Sequence, residues 1–345
     1  SILKMKKSLI TLGVLALFVL MAYGQEKKFA LYSVAFYNME NLFDTIHDEG
    51  KNDYEYLPNG TNQWNTMKYK AKLKNMSEIL SLLSTDKLPM GPAIIGVSEI
   101  ENYRVLEDIL KQPALADRGY QYVHYEGEDQ RGVDCAFFYN PKLFELTNSK
   151  LVPYVYINDT IHKTRGFLIA SGNIAGEKMH FIVNHWPSRA AASPARERAG
   201  EQVRAIKDSL LREDSAAKIV IMGDMNDDPM DKSMAVALGA KRKPADVGPT
   251  DLYNPWWDTL KKGYGTLMYK GKWNLFDQIV FTGNLLGTDR STLKFYKHEI
   301  FRRDFMFQKE GKYKGYPKRT QAGGVWLNGY SDHLPTIIYL IKEMK

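Results

Sequence analysis

One short stretch of this chain constrains its fold more than any other, because a strongly apolar run ends there in glycine and acidic residues. Residues 219–222 are Ile-Val-Ile-Met, which predicts a strand buried on both faces. Gly223 follows, and Asp224 and Asn226 then stand at the C-terminal end of the strand, where layered α/β folds usually hold ligands. A carboxylate and a carboxamide at this spacing suit a hard cation or a phosphate. An ordinary strand-to-turn junction would use the same residues, whereas an EF-hand loop is excluded because Pro229 takes its obligatory glycine position.

The same pattern, an apolar run followed by polar residues, recurs along the chain. Predicted strands cover residues 31–37, 93–97, 120–125, 134–139, 166–171, 179–183, 219–222, 277–281 and 336–340. Predicted helices cover residues 67–83, 105–110 and 194–211. Residues 240–276 and 301–324 lack periodicity and are predicted to form surface loops. Because no linker or repeat divides the chain, we expect one α/β domain over residues 25–345.

The N-terminus has the pattern of an export signal. Lys4, Lys6 and Lys7 precede an apolar run that continues from residue 9 to residue 23. A basic start, a short apolar run and small residues at the end describe a secretory signal peptide, which we predict at residues 1–24. The mature protein is then expected to be exported, either periplasmic or secreted. A retained membrane anchor is the alternative, although the run is shorter than the roughly 20 residues that span a bilayer comfortably.

Composition narrows the classes of protein further. A hydrophobic content of 44% and a charged content of 25% are typical of a globular domain. Loss of the three lysines in the signal would lower the formal charge from +7 to +4, which permits binding to a polyanion without arguing for it. The single cysteine, Cys135, excludes an internal disulfide and is predicted to be packed in the interior rather than catalytic.

Polar residues at the ends of the apolar runs form the main functional signal. Each of them alone has an ordinary structural explanation, but together they combine carboxylates, carboxamides and two imidazoles: Asn38, Glu40, Glu99, His185, Asp224, Asn226, Asp277, Asp332 and His333. Such a set supplies hard oxygen ligands for Mg²⁺ and groups for proton transfer. The sequence contains no histidine–cysteine cluster of the structural zinc type and no glycine-rich nucleotide loop.

Seven motifs in order resemble those of the endonuclease/exonuclease/phosphatase superfamily. They are Tyr-Asn-Met-Glu-Asn-Leu, Ile-Gly-Val-Ser-Glu, Arg-Gly-Val-Asp, Asn-His-Trp-Pro-Ser-Arg, Gly-Asp-Met-Asn-Asp, Phe-Asp-Gln-Ile and Ser-Asp-His-Leu-Pro. The resemblance covers nearly the whole mature chain. It implies an α/β (α+β) fold, a four-layer sandwich of two packed mixed β-sheets flanked by helices, with the active site at one end.

The resemblance also implies a metal site. Glu99 is similar to the principal ligand of the metal, with Asn38 and Glu40 beside it and Asp332 completing the site. The expected cation is Mg²⁺, with Mn²⁺ or Ca²⁺ as alternatives. Whether one or two metal ions operate is left open by the sequence.

The resemblance assigns catalytic roles to five further residues. Asp224 is similar to the residue that positions or deprotonates the attacking water, and Asn226 orients that water or the phosphate. His333, paired with Asp277, resembles the histidine that contacts the phosphate or acts as a base. His185 resembles a phosphate contact or general acid. Asp227 and Asp228 are expected to be solvated turn residues.

Substrate binding is less specific in the sequence. Asn38 and His185 are expected to contact the substrate, and Arg165 and Arg131 compete for the role of the phosphate-binding arginine. Six further cations could contact a nucleic-acid backbone, although solvated surface charge is the favoured explanation: Arg189, Arg196, Arg198, Lys241, Arg242 and Lys243.

These expectations describe an exported, metal-dependent hydrolase of phosphoester bonds, first of all a phosphodiesterase or nuclease. A phosphomonoesterase or a sphingomyelinase-type phospholipase on the same site is one alternative, and a noncatalytic binding protein on a degenerate scaffold is another. The expected partner is a phosphoester substrate, including nucleic acid. No stable membrane span is expected after signal cleavage, and no obligate protein partner is evident from the sequence.

Overall fold

Two β-sheets packed face to face form the centre of the molecule. The computed structural model describes residues 27–344, and the predicted signal peptide at residues 1–24 lies outside them. The first sheet contains β1 (Phe29–Leu42), β2 (Ile94–Ile100), β3 (Gln121–His124), β4 (Asp134–Tyr139), β14 (Lys294–Ile300) and β17 (Thr336–Glu343). Its strand order is β14-β17-β1-β2-β4-β3. β1 runs parallel to β2 and antiparallel to β17, so the sheet is mixed.

The second sheet is also mixed and carries the stretch that ends in Asp224. It contains β5 (Glu145–Val152), β6 (Phe167–Ile174), β7 (Glu177–His185), β8 (Lys218–Asp224), β9 (Ala240–Lys241), β10 (Leu252–Tyr253) and β13 (Asp277–Thr282). The order is β5-β6-β7-β8-β13-β10-β9. β8 runs parallel to β7 and antiparallel to β13. All seven residues of β8 are buried, as its apolar run predicts.

Helices cover the outer face of each sheet. α1 (Thr66–Leu82) and α2 (Tyr103–Leu110) pack on the first sheet, and α3 (Ser193–Glu213) packs on the second. A third apolar cluster lies between the sheets and joins residues such as Phe137 of the first to Phe181 of the second. The layers are therefore helix, sheet, sheet and helix, and the predicted four-layer sandwich is confirmed.

Short elements complete the described chain. They are α4 (Trp257–Lys261), a π-helical turn (Ser233–Leu238), and 3₁₀ turns at Tyr54–Tyr56, Ala116–Arg118, Pro244–Asp246, Gly283–Leu285 and Asp304–Met306. Two small hairpins stand outside the main sheets, formed by β11 (Leu267–Tyr269) with β12 (Lys272–Asn274) and by β15 (Gln321–Ala322) with β16 (Val325–Trp326).

The prediction of a surface loop over residues 240–276 is wrong in part. This segment contributes β9 and β10 to the second sheet, and Trp256 is fully buried with its indole N–H donated to the carbonyl of Ile279, 2.9 Å away. Strands β5 and β14 were not predicted, and both lie at the edge of a sheet with partly exposed residues. Without a buried run or a regular alternation, such strands give no clear sequence signal.

Two further observations concern single features of the described residues. Cys135 is buried and free, as predicted, and burial raises the pKa of its thiol. Within residues 27–344, no helix is long and apolar enough to cross a membrane.

Candidate active site

The ends of six strands meet at one edge of the sandwich and carry most of the predicted site residues. Four of them lie in the C-terminal half of a strand, namely Asn38 in β1, Glu99 in β2, His185 in β7 and Asp224 in β8. Asp277 is the first residue of β13, and His333 lies three residues before β17. The register aligns them in pairs, because Asp224 lies opposite both His185 and Asp277. The structure therefore brings together residues that are up to 295 positions apart in the sequence.

The backbone is left-handed at three of the site residues. Glu40 has φ 45°, Glu99 has φ 58° and Asn226 has φ 50°. This region is uncommon for residues other than glycine, and for glutamate it indicates local strain. The surrounding sheets hold these turns, and each turn directs a polar side chain into the space between the strand ends.

Gly223 permits the close approach of β7 and β8 immediately before Asp224. A methyl group at this position would lie 2.3 Å from the carbonyl oxygen of Asn184 and 2.6 Å from its Cβ. Both distances are shorter than any real contact of a Cβ, so only glycine fits. The glycine thus allows the two strands to bring His185 and Asp224 into paired positions.

Asn38 joins the two sheets through its amide. Its Nδ2 donates to Oε1 of Glu99 at 3.2 Å and to Oδ2 of Asp224 at 3.0 Å. Its Oδ1 accepts from the backbone N–H of Glu40 at 2.8 Å. Because the amide is fully buried and fully used, it fixes the two carboxylates relative to each other. This contact makes Asn38 a positioning residue as well as a predicted ligand.

Asp224 is buried, and both oxygens of its carboxylate accept hydrogen bonds. Its Oδ1 accepts from the backbone N–H of Asn226 at 3.0 Å. Burial, together with the charges of Asp277 and Glu99, raises the pKa of Asp224 to about 7, against the lowering effect of His333. A carboxyl group of this pKa can exchange a proton near neutral pH.

Asp277 and His333 form a buried pair. Nδ1 of His333 lies 2.7 Å from Oδ2 of Asp277, which also accepts a 2.5 Å hydrogen bond from the hydroxyl of Thr266. Nε2 of His333 lies 3.8 Å from Oδ2 of Asp224. Burial lowers the pKa of His333, but the carboxylates of Asp277, Asp224 and Asp332 outweigh it and hold the pKa well above its usual value. The predicted pairing of Asp277 with His333 is present.

His185 differs from His333 in its charge. Its Nε2 lies 3.6 Å from both Glu99 Oε1 and Asp224 Oδ2, beyond hydrogen-bond distance. Burial and the nearby guanidinium groups of Arg165 and Arg131 lower the pKa of His185 well below its usual value. Its Nδ1 is buried and has no hydrogen-bond partner among residues 27–344. The surroundings thus favour the neutral form of His185 and the protonated form of His333.

Arg319 is a site residue that sequence reasoning missed. Its Nε donates to Oε1 of Glu40 at 2.8 Å, and its second terminal nitrogen lies 3.0 Å from Oδ2 of Asp332. The other oxygen of Glu40 accepts from the backbone N–H of Thr320 at 2.8 Å. Burial and the charge of Asp332 raise the pKa of Glu40 to about 7. Arg319 lies in a segment without periodicity, so no sequence pattern marked it.

The donor set fits a divalent cation near Glu99. Ligand atoms of Glu99, His185 and Asp224 all lie within 4.8 Å of one another, and those of Asp224, Asp277 and His333 do likewise. The carboxylate of Glu99 is partly exposed, at 15% of its side-chain surface, so a cation can reach it. Glu40 and Asp332, predicted as further ligands, both form ion pairs with Arg319, and their role as ligands stays a prediction. Carboxylate and amide oxygens remain the chemistry that Mg²⁺ prefers.

The two candidate phosphate-binding arginines stand in different environments. Arg165 is buried and donates to the carbonyls of His185 and Trp186 and, at 3.0 Å, to Asp129. Arg131 has 53% of its side chain exposed and lies 3.8 Å from the same aspartate. The free guanidinium of Arg131 is available to a ligand, whereas Arg165 anchors the backbone that follows β7. Both remain predictions as phosphate contacts.

Most of the other cations considered for nucleic acid are paired within the protein. Arg196 is buried with its Nε 2.9 Å from Asp227, and Arg189 lies 3.0 Å from Asp231. Arg198, Lys241 and Arg242 likewise have carboxylate partners, namely Glu201, Asp251 and Asp258. The expectation that Asp227 and Asp228 are solvated is wrong, because Asp227 is buried against Arg196 and Asp228 accepts from the N–H of Leu275 at 2.7 Å. A paired cation has less charge to offer a phosphate backbone.

Comparison with known proteins agrees with the geometry. A family model described as Endonuclease/Exonuclease/phosphatase family matches residues 33–342. No curated protein sequence matches the chain significantly.

Solved structures share the fold at low sequence identity. A family protein from Bacteroides thetaiotaomicron has a TM-score of 0.57 at 15% identity and covers 92% of this chain and 98% of that chain. The mannosyl-6-phosphatase of the same bacterium has a TM-score of 0.55 at 14% identity over 90% and 99% of the two chains. TDP2 of D. rerio, humanized by 14 mutations, has a TM-score of 0.54 at 14% identity over 90% and 98%. At these identities the likeness concerns the fold alone.

Proposed function

Because the chain belongs to the endonuclease/exonuclease/phosphatase family, we propose that it is a metal-dependent hydrolase of phosphoesters that acts at the edge where the two sheets meet. The observation that carries this proposal is the alignment of Asp277, His333 and Asp224, with Glu99 and Asn38 on the opposite side. A noncatalytic binding protein would have no need of a buried carboxylate–imidazole pair beside a carboxylate that titrates near neutral pH.

Asp224 is the proposed base for the attacking water. Its oxygens are fixed by Asn38 and by the backbone of Asn226, and its pKa of about 7 suits proton transfer at neutral pH. The side chain of Asn226 donates to the carbonyl of Trp186 at 3.0 Å. This hydrogen bond fixes the side chain, and its second amide N–H and its oxygen are the groups proposed to orient the water or the phosphate.

His333 is the proposed cationic contact of the phosphate. Asp277 orients the imidazole and favours its protonated form, so that Nε2 donates to a phosphate oxygen on which charge develops. His185 stays neutral because its pKa is lowered. It is thus suited to orient the substrate through a hydrogen bond rather than to act as a strong general acid.

Glu99 is the proposed anchor of the metal. A divalent cation there, Mg²⁺ first and Mn²⁺ or Ca²⁺ as alternatives, would supply charge neutralisation for the phosphate and the leaving oxygen. Glu99 is itself held by Asn38 and by the backbone N–H of Asn41 at 3.0 Å. Because Arg319 already pairs with both Glu40 and Asp332, we assign a single metal ion to the site.

The finer assignment of the substrate has two candidates. A phosphodiesterase or nuclease role has support from TDP2 of D. rerio, whose structure is complexed with a single-strand DNA product. A phosphomonoesterase role has support from the mannosyl-6-phosphatase. The internal pairing of Arg189, Arg196 and Lys241 favours a small phosphoester over a nucleic-acid backbone.

The test is hydrolysis of bis-p-nitrophenyl phosphate and p-nitrophenyl phosphate with Mg²⁺, Mn²⁺ or Ca²⁺, with EDTA as the blank. Glu99→Gln, Asp224→Asn and His333→Ala should each lose at least about 10²-fold in rate while keeping the wild-type unfolding curve. Asp289→Asn, at an exposed position away from the site, is the matched control and should retain full activity. Calorimetry should show that Glu99→Gln weakens binding of the cation itself. Wild-type protein that cleaves neither ester with any cation would refute the proposal, as would full activity in the three variants.

Export is a separate proposal, and it is supported by the lysines and apolar run at residues 1–24. Expression of the full chain with fractionation and N-terminal sequencing tests it. Protein outside the cytoplasm that begins near residue 25 is the expected result, and full-length protein in the cytoplasmic fraction would contradict it.

A further inference from the structure

A cleft with four tyrosines in its walls opens directly beside the site. It has a volume of about 1140 Å³, and Tyr56, Tyr269, Tyr313 and Tyr316 line it. We call it the tyrosine cleft. One wall is the β11–β12 hairpin, and the other is the segment 308–325, which includes the β15–β16 hairpin.

The tyrosine cleft shares its floor with the candidate active site. Glu40 and Asp332 line the cleft and are joined there by Arg319. Leu267, at the start of the β11–β12 hairpin, pairs with His333 through an isolated β-bridge. A phosphate held at His333 therefore has its attached organic group next to the cleft.

Contacts between the walls give the tyrosine cleft a fixed shape. The hydroxyl of Tyr316 accepts a 2.7 Å hydrogen bond from the N–H of Gly271, which links the two walls. Tyr316 also packs edge-on against Tyr313, with ring centroids 5.3 Å apart. Tyr56 stacks on Phe43 at 4.2 Å with nearly parallel rings. Rings that are held in this way offer flat surfaces with little freedom to lose on binding.

The charges around the tyrosine cleft nearly cancel. Four carboxylates and three cations line it: Glu40, Glu55, Glu310, Asp332, Lys270, Lys312 and Arg319. Arg319 is committed to Glu40 and Asp332. The two lysines stand over tyrosine rings, with Lys270 5.3 Å from the centroid of Tyr269 and Lys312 5.5 Å from that of Tyr313. A channel for a polynucleotide needs an excess of positive charge to neutralise phosphates, and this cleft lacks it.

We propose that the tyrosine cleft binds the alcohol part of a small phosphoester, an uncharged ring that carries hydroxyl groups. This inference rests on the proposed hydrolysis of phosphoesters. A ring of this kind stacks on the exposed faces of Tyr269 and Tyr313, and its hydroxyls donate to the carboxylates of Glu55 and Glu310. Sugars and nucleosides both have this chemistry, and the cleft volume admits either.

The experiment compares three phosphomonoesters that differ in the attached alcohol with one polymeric phosphodiester. They are a hexose 6-phosphate, a nucleoside monophosphate, glycerol phosphate and a single-stranded oligonucleotide. The two ring esters should show the highest kcat/KM, and the better of the two identifies the source of the ring. Glycerol phosphate lacks a ring and should be poor.

Single substitutions of tyrosines test whether the tyrosine cleft binds the ring of the substrate. Tyr269 and Tyr313 are 63% and 49% exposed, so replacement by alanine should leave folding intact. Tyr269→Ala and Tyr313→Ala should each raise KM for the better ring ester by at least about fivefold with little change in kcat. Inhibition by inorganic phosphate should be unchanged. Tyr296→Ala, at a position on β14 that is also 49% exposed, is the matched control and should behave as wild type.

Calorimetry in EDTA separates this proposal from the proposed function, because it measures binding of the same esters without turnover. If the affinity for ring esters depends on Tyr269 and Tyr313 but the protein hydrolyses none of the esters, the proposed hydrolase function is refuted and the proposed binding role of the tyrosine cleft is supported. Wild-type activity with KM and affinity unaffected by both substitutions would overturn the cleft proposal alone. A preference for the oligonucleotide with a steep loss of affinity in salt would also overturn it.

Discussion

Asp277→Asn is the substitution that tests the site most directly, because it removes one charge and little volume. The carboxylate of Asp277 lies 2.7 Å from Nδ1 of His333 and is fully buried. A carboxylate partner at such a distance favours the charged form of an imidazole. We therefore expect the pKa of His333 to fall in the variant.

The catalytic consequence follows from the same charge. With a neutral partner, the protonated form of His333 is less favoured and its orientation is less firmly fixed, so the rate should fall about 10²–10⁴-fold. Thr266→Val is the matched control, because it removes the 2.5 Å hydrogen bond to the same oxygen and keeps the charge. It should lose far less activity than Asp277→Asn.

Two measurements decide the matter. An NMR titration of the His333 ring in EDTA gives its pKa without metal, and kcat/KM against pH for an aryl phosphodiester gives the functional effect. A folded Asp277→Asn protein with an unchanged His333 pKa and a rate within threefold or so of wild type would refute the reasoning. Equal losses in Asp277→Asn and Thr266→Val would show that orientation matters and charge does not.

Three further substitutions test other features of the structure. Burial and Asp44 raise the pKa of Glu101 to about 9, so the folded state keeps a proton that the unfolded state releases above about pH 4.5. The free energy of unfolding should therefore fall as the pH rises from 5 to 9. Glu101→Gln should remove this pH dependence and raise the free energy of unfolding by about 1–3 kcal/mol at pH 8, measured in urea. Arg319→Met removes one of the two cations beside Glu40 and leaves Lys72. It should lower the free energy of unfolding by about 1–2 kcal/mol in EDTA, after allowance for the 44% exposure of the arginine, with part recovered when Mg²⁺ is added. Gly223→Ala places a methyl group 2.3 Å from a backbone oxygen and should destabilise the fold by at least about 2 kcal/mol in thermal unfolding.

Each of these has a control at an ordinary position. Glu107→Gln, with a half-exposed side chain, should leave the pH slope in place. Arg212→Met, at an exposed position near the end of α3, should be neutral with or without Mg²⁺. Gly176→Ala has open space around its Cβ and should cost only the strain of its positive φ, about 1 kcal/mol. A Glu101→Gln protein that keeps the slope, or an Arg319→Met protein insensitive to Mg²⁺, would contradict the respective argument.

The sequence predicted those site residues that share one local rule. Asn38, Glu99, His185 and Asp224 each end a buried apolar run, and strands of mixed sheets that run side by side bring such ends to one edge. Asp277 begins a strand antiparallel to β8, so it reaches the same edge from the other direction. This rule uses only the order of apolar and polar residues along the chain, so these site residues could be predicted from a single sequence.

Arg319 could not be found by that rule. It lies in a segment with no periodicity, and its partner Glu40 is 279 residues away. Its function comes from tertiary packing, which carries no local pattern. The burial of Asp227 could not be predicted for the same reason. It depends on the tertiary contact with Arg196, a residue that looks like surface charge in the sequence.

The division of the site between the two sheets has a consequence during synthesis of the protein. Asn38 is among the first residues of the sandwich to leave the ribosome, whereas His333 stands just before β17, the last strand, which pairs with β1. A nascent chain therefore holds Glu99, His185 and Asp224 long before it holds their partner. The proposed phosphoester cleavage should therefore begin only after release, when the C-terminal strand closes the first sheet, and the nascent chain should be inactive until then.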